Sequence, residues 1–407
     1  GNKWGFFPSG ALAYRISEEE FMQNIDFISF LKLRASYGES GSTAISPYST
    51  LDLLSSGKTV FNDDLYTYFA GSSRYPGDLK WETTAQTDIG ADIGFLNSRI
   101  WITADYYIKN TRDLLNSVSL PTSTGYTTTI KNIGKIQNKG FEFQINANIL
   151  NNQFKWDLSA NFATINSKIV KLSGGEDIYG TSFSLAVVND VINLYREGEP
   201  FGVFYGYQED GFTEEGEIAY KDNDLSGDVS IDDKAIIGDP NPDFLYGFNT
   251  TMSYKNFELS LFIQGTYGND IYSLSLLNQT LDYLVGMNTF KEVLYDHWTP
   301  ETPNAKYPYI SRYTQTLMSD RFVYDGSYLR LKNIELAYNF PVGRLGINWV
   351  KRGQIYISGQ NQLTISSYPW FDPDVNSRGG SNSLNQGIDY YTYPMAKSIA
   401  AGIRLEF

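Results

Sequence analysis

The chain of 407 residues has no cysteine and a single histidine, and it has no run of about 18 apolar residues. The first absence removes disulfides and thiolate metal sites. The second leaves His297 alone beside Asp296, with no context for a nucleophile–base arrangement, which is recognised by geometry. We read His297 as structural and assign no catalytic residue. The third excludes a helical membrane span, in keeping with a mean hydropathy of -0.32. Charge is also sparse, at 19% of residues, and the balance is acidic, with a net charge of -14. Nucleic acid is therefore excluded as a partner, because its phosphates demand Lys and Arg. Aromatic residues are abundant instead, at 15%, with 31 Tyr and 25 Phe.

The order of these residues matters more than their number. In Ser398–Phe407, Ile399, Ala401, Ile403, Leu405 and Phe407 alternate with Ser398, Ala400, Gly402, Arg404 and Glu406. Side chains alternate across a strand, so this segment has one apolar and one polar face. Phe30–Tyr37 repeats the pattern, with Leu31, Leu33, Ala35 and Tyr37 opposed to Lys32, Arg34 and Ser36. Trp81–Phe95, Ile100–Ile108, Gly140–Ile149, Phe154–Phe162 and Phe257–Ile263 do the same. A transmembrane barrel shows such alternation, hides it from mean hydropathy, and ends on an aromatic at the membrane boundary. Glu82, Asp88, Asp92, Glu142 and Glu406 cannot face lipid cheaply and must face water or a plug.

Connection lengths fix the sidedness. Leu96–Ser98, Asn151–Asn152 and Lys255–Asn256 are tiny turns. Long loops lie near 40–80, 115–131, 171–186, 213–243, 269–325 and 365–393. Outer-membrane barrels have this asymmetry, with short periplasmic turns and long extracellular loops. Phe95, Phe154, Trp156, Tyr254, Phe257, Phe340 and Phe407 cluster at the short-turn ends, where an interfacial girdle belongs. The expectation is an all-β fold of about thirteen antiparallel transmembrane strands. Their spans are 4–16, 28–39, 79–95, 99–114, 132–150, 153–170, 187–196, 200–212, 244–254, 256–268, 326–340, 352–364 and 394–407. The 187–196 strand alternates poorly and is required only by up–down parity. An odd count, with no leader-like start at Gly1, predicts that this single domain over 1–407 is part of a longer barrel.

The strings GNKWGFFPSGALAYRISEEEFM at Gly1–Met22, LKLRASYGESG at Leu31–Gly41 and NIGKIQNKGFEF at Asn132–Phe143 resemble the SusC/RagA group of TonB-dependent transporters. So do Ile237–Tyr272, His297–Pro308 and Ser327–Pro341, in the family's order. The resemblance implies a 22-stranded barrel filled by an N-terminal plug, of which this chain is the C-terminal part. It implies import of oligosaccharides or oligopeptides through the outer membrane, among outer-membrane lipid. It also implies a SusD-like surface lipoprotein as lid and energy from the TonB–ExbB–ExbD complex. A passive channel or ligand-binding module is the alternative within the membrane, and a soluble β-rich enzyme the alternative outside it.

Three further segments bear on function. Asp222–Asp233 follows the spacing of an EF-hand-type calcium loop. Asp222, Asp224 and Ser226 stand at positions 1, 3 and 5, and Gly227 at the sharp turn. Asp228 offers its carbonyl at 7, and Asp233 stands at 12. Ser226 and the short Asp233 depart from the usual ligands and predict weak binding of a structural, extracellular Ca2+. Trp370, Tyr390 and Tyr391 lie in or beside the last long loop. They are candidate substrate-binding residues, because flat aromatic faces stack on sugars or peptide side chains at low entropic cost. Gly202 and Gly206 mimic a phosphate loop without its helix, so they are read as sites of close backbone approach.

Overall fold

Alternation of this kind builds one continuous antiparallel sheet. The computed structural model describes the chain except residues 1–3, 43–53, 72, 75–78, 120–127, 133, 173–174, 181, 186, 282–287, 312–315, 343–348 and 376–384. Eleven strands form the wall: β1 (Ser9–Arg15), β2 (Ile28–Ser42), β3 (Glu82–Phe95), β4 (Ile100–Arg112), β5 (Lys135–Asn151) and β6 (Phe154–Thr164) come first. Then follow β7 (Phe244–Tyr254), β8 (Phe257–Tyr267), β9 (Tyr328–Phe340), β10 (Arg352–Ser366) and β11 (Ser398–Glu406). Each pairs with its sequence neighbour in the wall. A short strand, Asn166–Lys171, continues β6 beyond Ile165 and pairs with the upper part of β5. Strands β2 to β10 run from 11 residues in β6 to 17 in β5, which suffices for a tilted crossing, while the edge strands β1 and β11 have 7 and 9. No helix among the described residues is long and apolar enough to cross a membrane, which says nothing of a β-barrel. The edge strands β1 and β11 have one neighbour each, and nearly all of their residues are exposed.

The two faces of the wall separate as the alternation requires. Leu33, Ile89, Tyr106, Phe141, Ile357 and Ile403 are exposed on the outer face. At the short-turn end, Phe27 stacks on Phe95, Phe257 packs on Tyr338 and Trp349 stacks on Phe407. The expected long loops near 40–80, 115–131, 269–325 and 365–393 lie partly outside the described residues.

Two expected strands are not in the wall. Within 187–196 and 200–212 the structure has short pieces, Asn189–Asp190, Asn193–Tyr195, Val203–Gly206 and Glu209–Phe212. These pair only in small separate sheets, and β6 runs directly beside β7. The physical reason is burial on both sides: Asn193–Tyr195 and Val203–Gly206 are buried throughout. A wall strand must offer one face to lipid, and these offer none. Because two strands drop out together, up–down parity survives and every other strand keeps its direction.

Beyond the short strand Asn166–Lys171, the chain from Leu172 to Asp243 is thus one excursion. It packs with the excursions after β8 and after β10 into a cap. The cap core contains Val187, Ile192, Phe204, Ile271, Tyr272, Leu274, Leu277, Met318, Phe322, Tyr368 and Ile388. Gly206 permits a close backbone contact within it. A Cβ there would stand 2.3 Å from the Met318 carbonyl oxygen, which accepts the Tyr207 N–H at 2.8 Å. The close approach expected of this glycine occurs, and its partner is another part of the cap.

Candidate functional site: the polar wall and its cap

The inner face of the wall is a network of charges. Arg34 on β2 donates from Nε to Asp92 on β3 at 3.0 Å and from Nη2 to Asp105 on β4 at 3.0 Å. Lys32 joins Asp92 at 3.2 Å. The diagonal reach from β2 to β4 is possible because Gly90 lies between, opposite both Arg34 and Asp105. A Cβ at Gly90 would fall 1.9 Å from an Asp105 oxygen. Farther along, Arg404 on β11 donates to Glu335 on β9 at 2.6 Å and to Gln354 on β10 at 2.7 Å. A hollow of about 520 Å³ lies against Asp105, Glu142, Gln144, Asn161 and Gln264. Such a face offers hydrogen bonds to a polar solute.

The cap carries a second hollow, of about 660 Å³, lined by Glu209, Phe290, Lys306, Tyr307, Arg321 and Tyr324 among others. The Arg321 guanidinium donates to the Glu209 carboxylate and to the Lys306 carbonyl. Burial raises the Glu209 carboxyl above its ordinary value against the pull of Arg321. Phe290 belongs both to this hollow and to an aromatic cluster. It packs edge-on to Trp370 at 5.9 Å between centroids. Trp370 lies 4.5 Å from Phe371 and 6.4 Å from Tyr391, which contacts Tyr390 at 5.2 Å. The structure therefore brings the three predicted aromatics together. Trp370 and Tyr390 pack partly against the cap core, while Phe371, in the same aromatic run of the sequence, is 67% exposed. The Trp370 indole N–H is buried with no acceptor among the described residues.

The acidic loop of residues 222–233 folds into a compact turn. Asp222, Asp224 and Asp233 converge within 4.8 Å of one another. Gly227 takes a φ of +96°, the left-handed conformation that its sharp turn demands. Ser226 Oγ donates to the Asp228 carbonyl at 3.0 Å, so the atoms at positions 5 and 7 are adjacent. Asp233 is fully buried and caps a short 3-10 turn, Ile231–Asp233, with Ser230. It accepts N–H groups from Ser230, Asn223 and Asp224. The Ser230 N–H first, with the other two, holds its carboxyl below the ordinary aspartate value. The lone histidine has a structural place: its Nδ1 lies 3.0 Å from the Leu294 carbonyl oxygen.

One buried clamp was invisible in the sequence. Arg330, at the cap end of β9, is 1% exposed. It donates to Asp372, to Asp374 at 3.3 Å and to Thr364 at 3.1 Å. The clamp fastens the final excursion to the wall. Its members stand 34 to 44 positions apart, and no local spacing announces them.

Comparison with known proteins agrees with this architecture. The family described as TonB dependent receptor-like, beta-barrel, matches residues 1–368. TonB-dependent receptor P3 of Formosa agariphila is 36% identical over all of this chain and 42% of its own length. TonB-dependent receptor SusC of Bacteroides thetaiotaomicron is 33% identical over all of this chain and 40% of its own length. A solved structure described as the RagAB peptide transporter superposes with a TM-score of 0.84 at 24% identity, covering 100% of this chain and 44% of that one. The chain spans about two fifths of the curated relatives it matches.

Proposed function

This chain belongs to the TonB-dependent receptor-like β-barrel family, outer-membrane proteins that act as receptors and transporters and not as enzymes, and from that premise we propose that it is the C-terminal barrel portion of an oligosaccharide importer. The observation that carries the reading is the pairing of a polar inner wall with an aromatic cap. Solute is captured at the cap, where Trp370, Phe371 and Tyr391 offer ring faces. It then meets the carboxylates, amides and guanidinium groups of the wall. A SusD-like surface lipoprotein closes the cap from outside. The TonB–ExbB–ExbD complex drives passage through parts of the protein beyond this sequence. In the relatives' barrels, strands beyond this sequence would pair with the free edges of β1 and β11, since lipid tolerates no open edge.

An oligopeptide cargo is the second reading, favoured by the RagAB structure, itself described as a peptide transporter. Binding of labelled oligosaccharides and oligopeptides to the complete protein separates the two. We expect saturable glycan binding that weakens about tenfold in Trp370→Ala with Phe371→Ala. Saturation by peptides alone would assign the second reading. Deleting the TonB-contacting segment of the complete protein should abolish uptake and spare binding; uptake that survives means a passive channel.

We further propose that the Asp222–Asp233 loop holds a structural Ca2+. The converging carboxylates, the Gly227 turn and the adjacent Ser226 and Asp228 oxygens fit such an ion. Asp222, Asp224 and Ser226 would ligate through side chains and Asp228 through its carbonyl. Asp233 has most of its acceptor capacity engaged by backbone N–H groups. Weak affinity follows, with a dissociation constant on the order of 10⁻⁴ to 10⁻³ M. Calcium should protect the loop from proteolysis, and Asp222→Asn with Asp224→Asn should remove that protection. Cleavage that ignores calcium ends the proposal.

A further inference from the structure

We propose that the outer face of the wall carries a built site for the phosphate groups of a glycolipid in the outer leaflet of the membrane. The site is a row of cations across three adjacent strands. Lys135 on β5 stands opposite Arg112 on β4 on one side and opposite Lys171 on the other. One step lower, Lys168 stands opposite Gln137. Lys139 lies below that, opposite Ile108. All five cations are exposed. They share the outer face, because Lys135 and Lys139 are in phase with Phe141 and Arg112 is in phase with Tyr106, both exposed apolar residues.

Height places the row at the headgroups. From Ile100 at the short-turn end of β4, Arg112 is twelve residues along the strand. At about 3.3 Å per residue and a tilt of about 40°, that is roughly 30 Å along the membrane normal. The apolar band of such barrels is about 25 Å tall. Arg112, Lys135 and Lys171 therefore emerge just above the hydrocarbon, where lipid phosphates lie. Lys139 starts within the band and reaches upward with its apolar stem in lipid.

Charge balance points to an anionic occupant. The protein is acidic, with a net charge of -14, so a cationic row on it stands out. Glu39 pairs with Arg112 at 3.2 Å. Among the described residues no carboxylate lies within ion-pair distance of Lys135, Lys139, Lys168 or Lys171. Four lysines stepped over four residues of β5, from Lys135 and Lys171 through Lys168 to Lys139, with aromatic rings beneath them, fit a phosphorylated head on acyl chains: ammonium groups take the phosphates and Phe141 and Tyr106 meet the chains. This inference rests on the outer-membrane location and not on the identity of the cargo.

The test uses the complete protein in nanodiscs containing diphosphoryl or enzymatically dephosphorylated lipid A, with retained lipid counted by native mass spectrometry after delipidation. Wild type should retain the phosphorylated lipid and release the dephosphorylated one. The triple variant Lys135→Gln, Lys168→Gln, Lys171→Gln should bind the phosphorylated lipid about a hundredfold more weakly. Lys155→Gln with Lys255→Gln, at the short-turn end, should change nothing. Equal retention of both lipids by wild type overturns the proposal without reliance on any variant. So does displacement of the lipid by millimolar inorganic phosphate, which would mean a free-phosphate site.

Discussion

Wall and cap are built from the same residue types in opposite arrangements. On the wall, Ile89 is 62% exposed while Asp92, three residues on and facing inward, is 9% exposed. In the cap, Phe204, Leu274 and Leu277 are wholly buried, and acidic side chains such as Asp222 and Asp224 lie on its surface. The cap obeys the rule of a water-soluble domain, with the apolar area removed from water. The wall obeys the rule of a structure with lipid outside and polar groups inside. A single chain therefore folds against two solvents, and the same substitution has opposite consequences in the two regions.

The largest effect is expected where the regions join. Arg330→Met leaves Asp372 buried without its cation, at a cost of about 3–5 kcal/mol. Hydrogen exchange should rise sharply in residues 367–375 and 385–397 while β2–β8 stay protected. Unchanged protection there would mean that the clamp holds nothing. Next, Leu277→Ala should cost about 2–5 kcal/mol of cap stability through the cavity it leaves. It should speed proteolysis of the cap without altering the heat-resistant migration of the barrel. Loss of both together would merge wall and cap into one cooperative unit.

The comparison is sharpest within one strand. Ile357 faces outward at mid-height of β10 and Ser358 faces inward. Ile357→Arg should destabilise the protein in lipid by about 2–4 kcal/mol. Ser358→Arg should stay within about 0.5 kcal/mol, as for a solvated site. Urea titrations in vesicles measure both, and equal costs would erase the distinction between the faces. The smallest change is Gly90→Ala. Its methyl displaces Asp105 from Arg34, at about 1 kcal/mol, and Gly94→Ala serves as a neighbouring comparison on the same strand.

Sequence periodicity identified all eleven wall strands because lipid on one side imposes period two on each. Two expected strands, 187–196 and 200–212, were misread. Their centres, Asn193–Tyr195 and Val203–Gly206, are extended, as strands should be, but are buried on both faces in the cap, and for 187–196 parity alone had argued for a crossing. The convergence of Asp222, Asp224 and Asp233 was legible because all three fall within one twelve-residue stretch. The Arg330 clamp, the Arg34–Gly90–Asp105 diagonal and the hollow between Glu209 and Arg321 were not, since each joins residues many tens of positions apart. Trp370, Tyr390 and Tyr391 were found as a group, but the sequence could not tell that Phe371 would be the outward ring.

The excursion between β6 and β7 also has a kinetic meaning. These neighbouring strands cannot zip together until residues 165–243 have been gathered, and the entropy of closing a loop grows with its free length. Local contacts form before distant ones. If the short hairpins of the cap form first, the free length shrinks and the two strand ends are delivered to each other. The cap would then act during assembly as a splint, set before the membrane wall is complete.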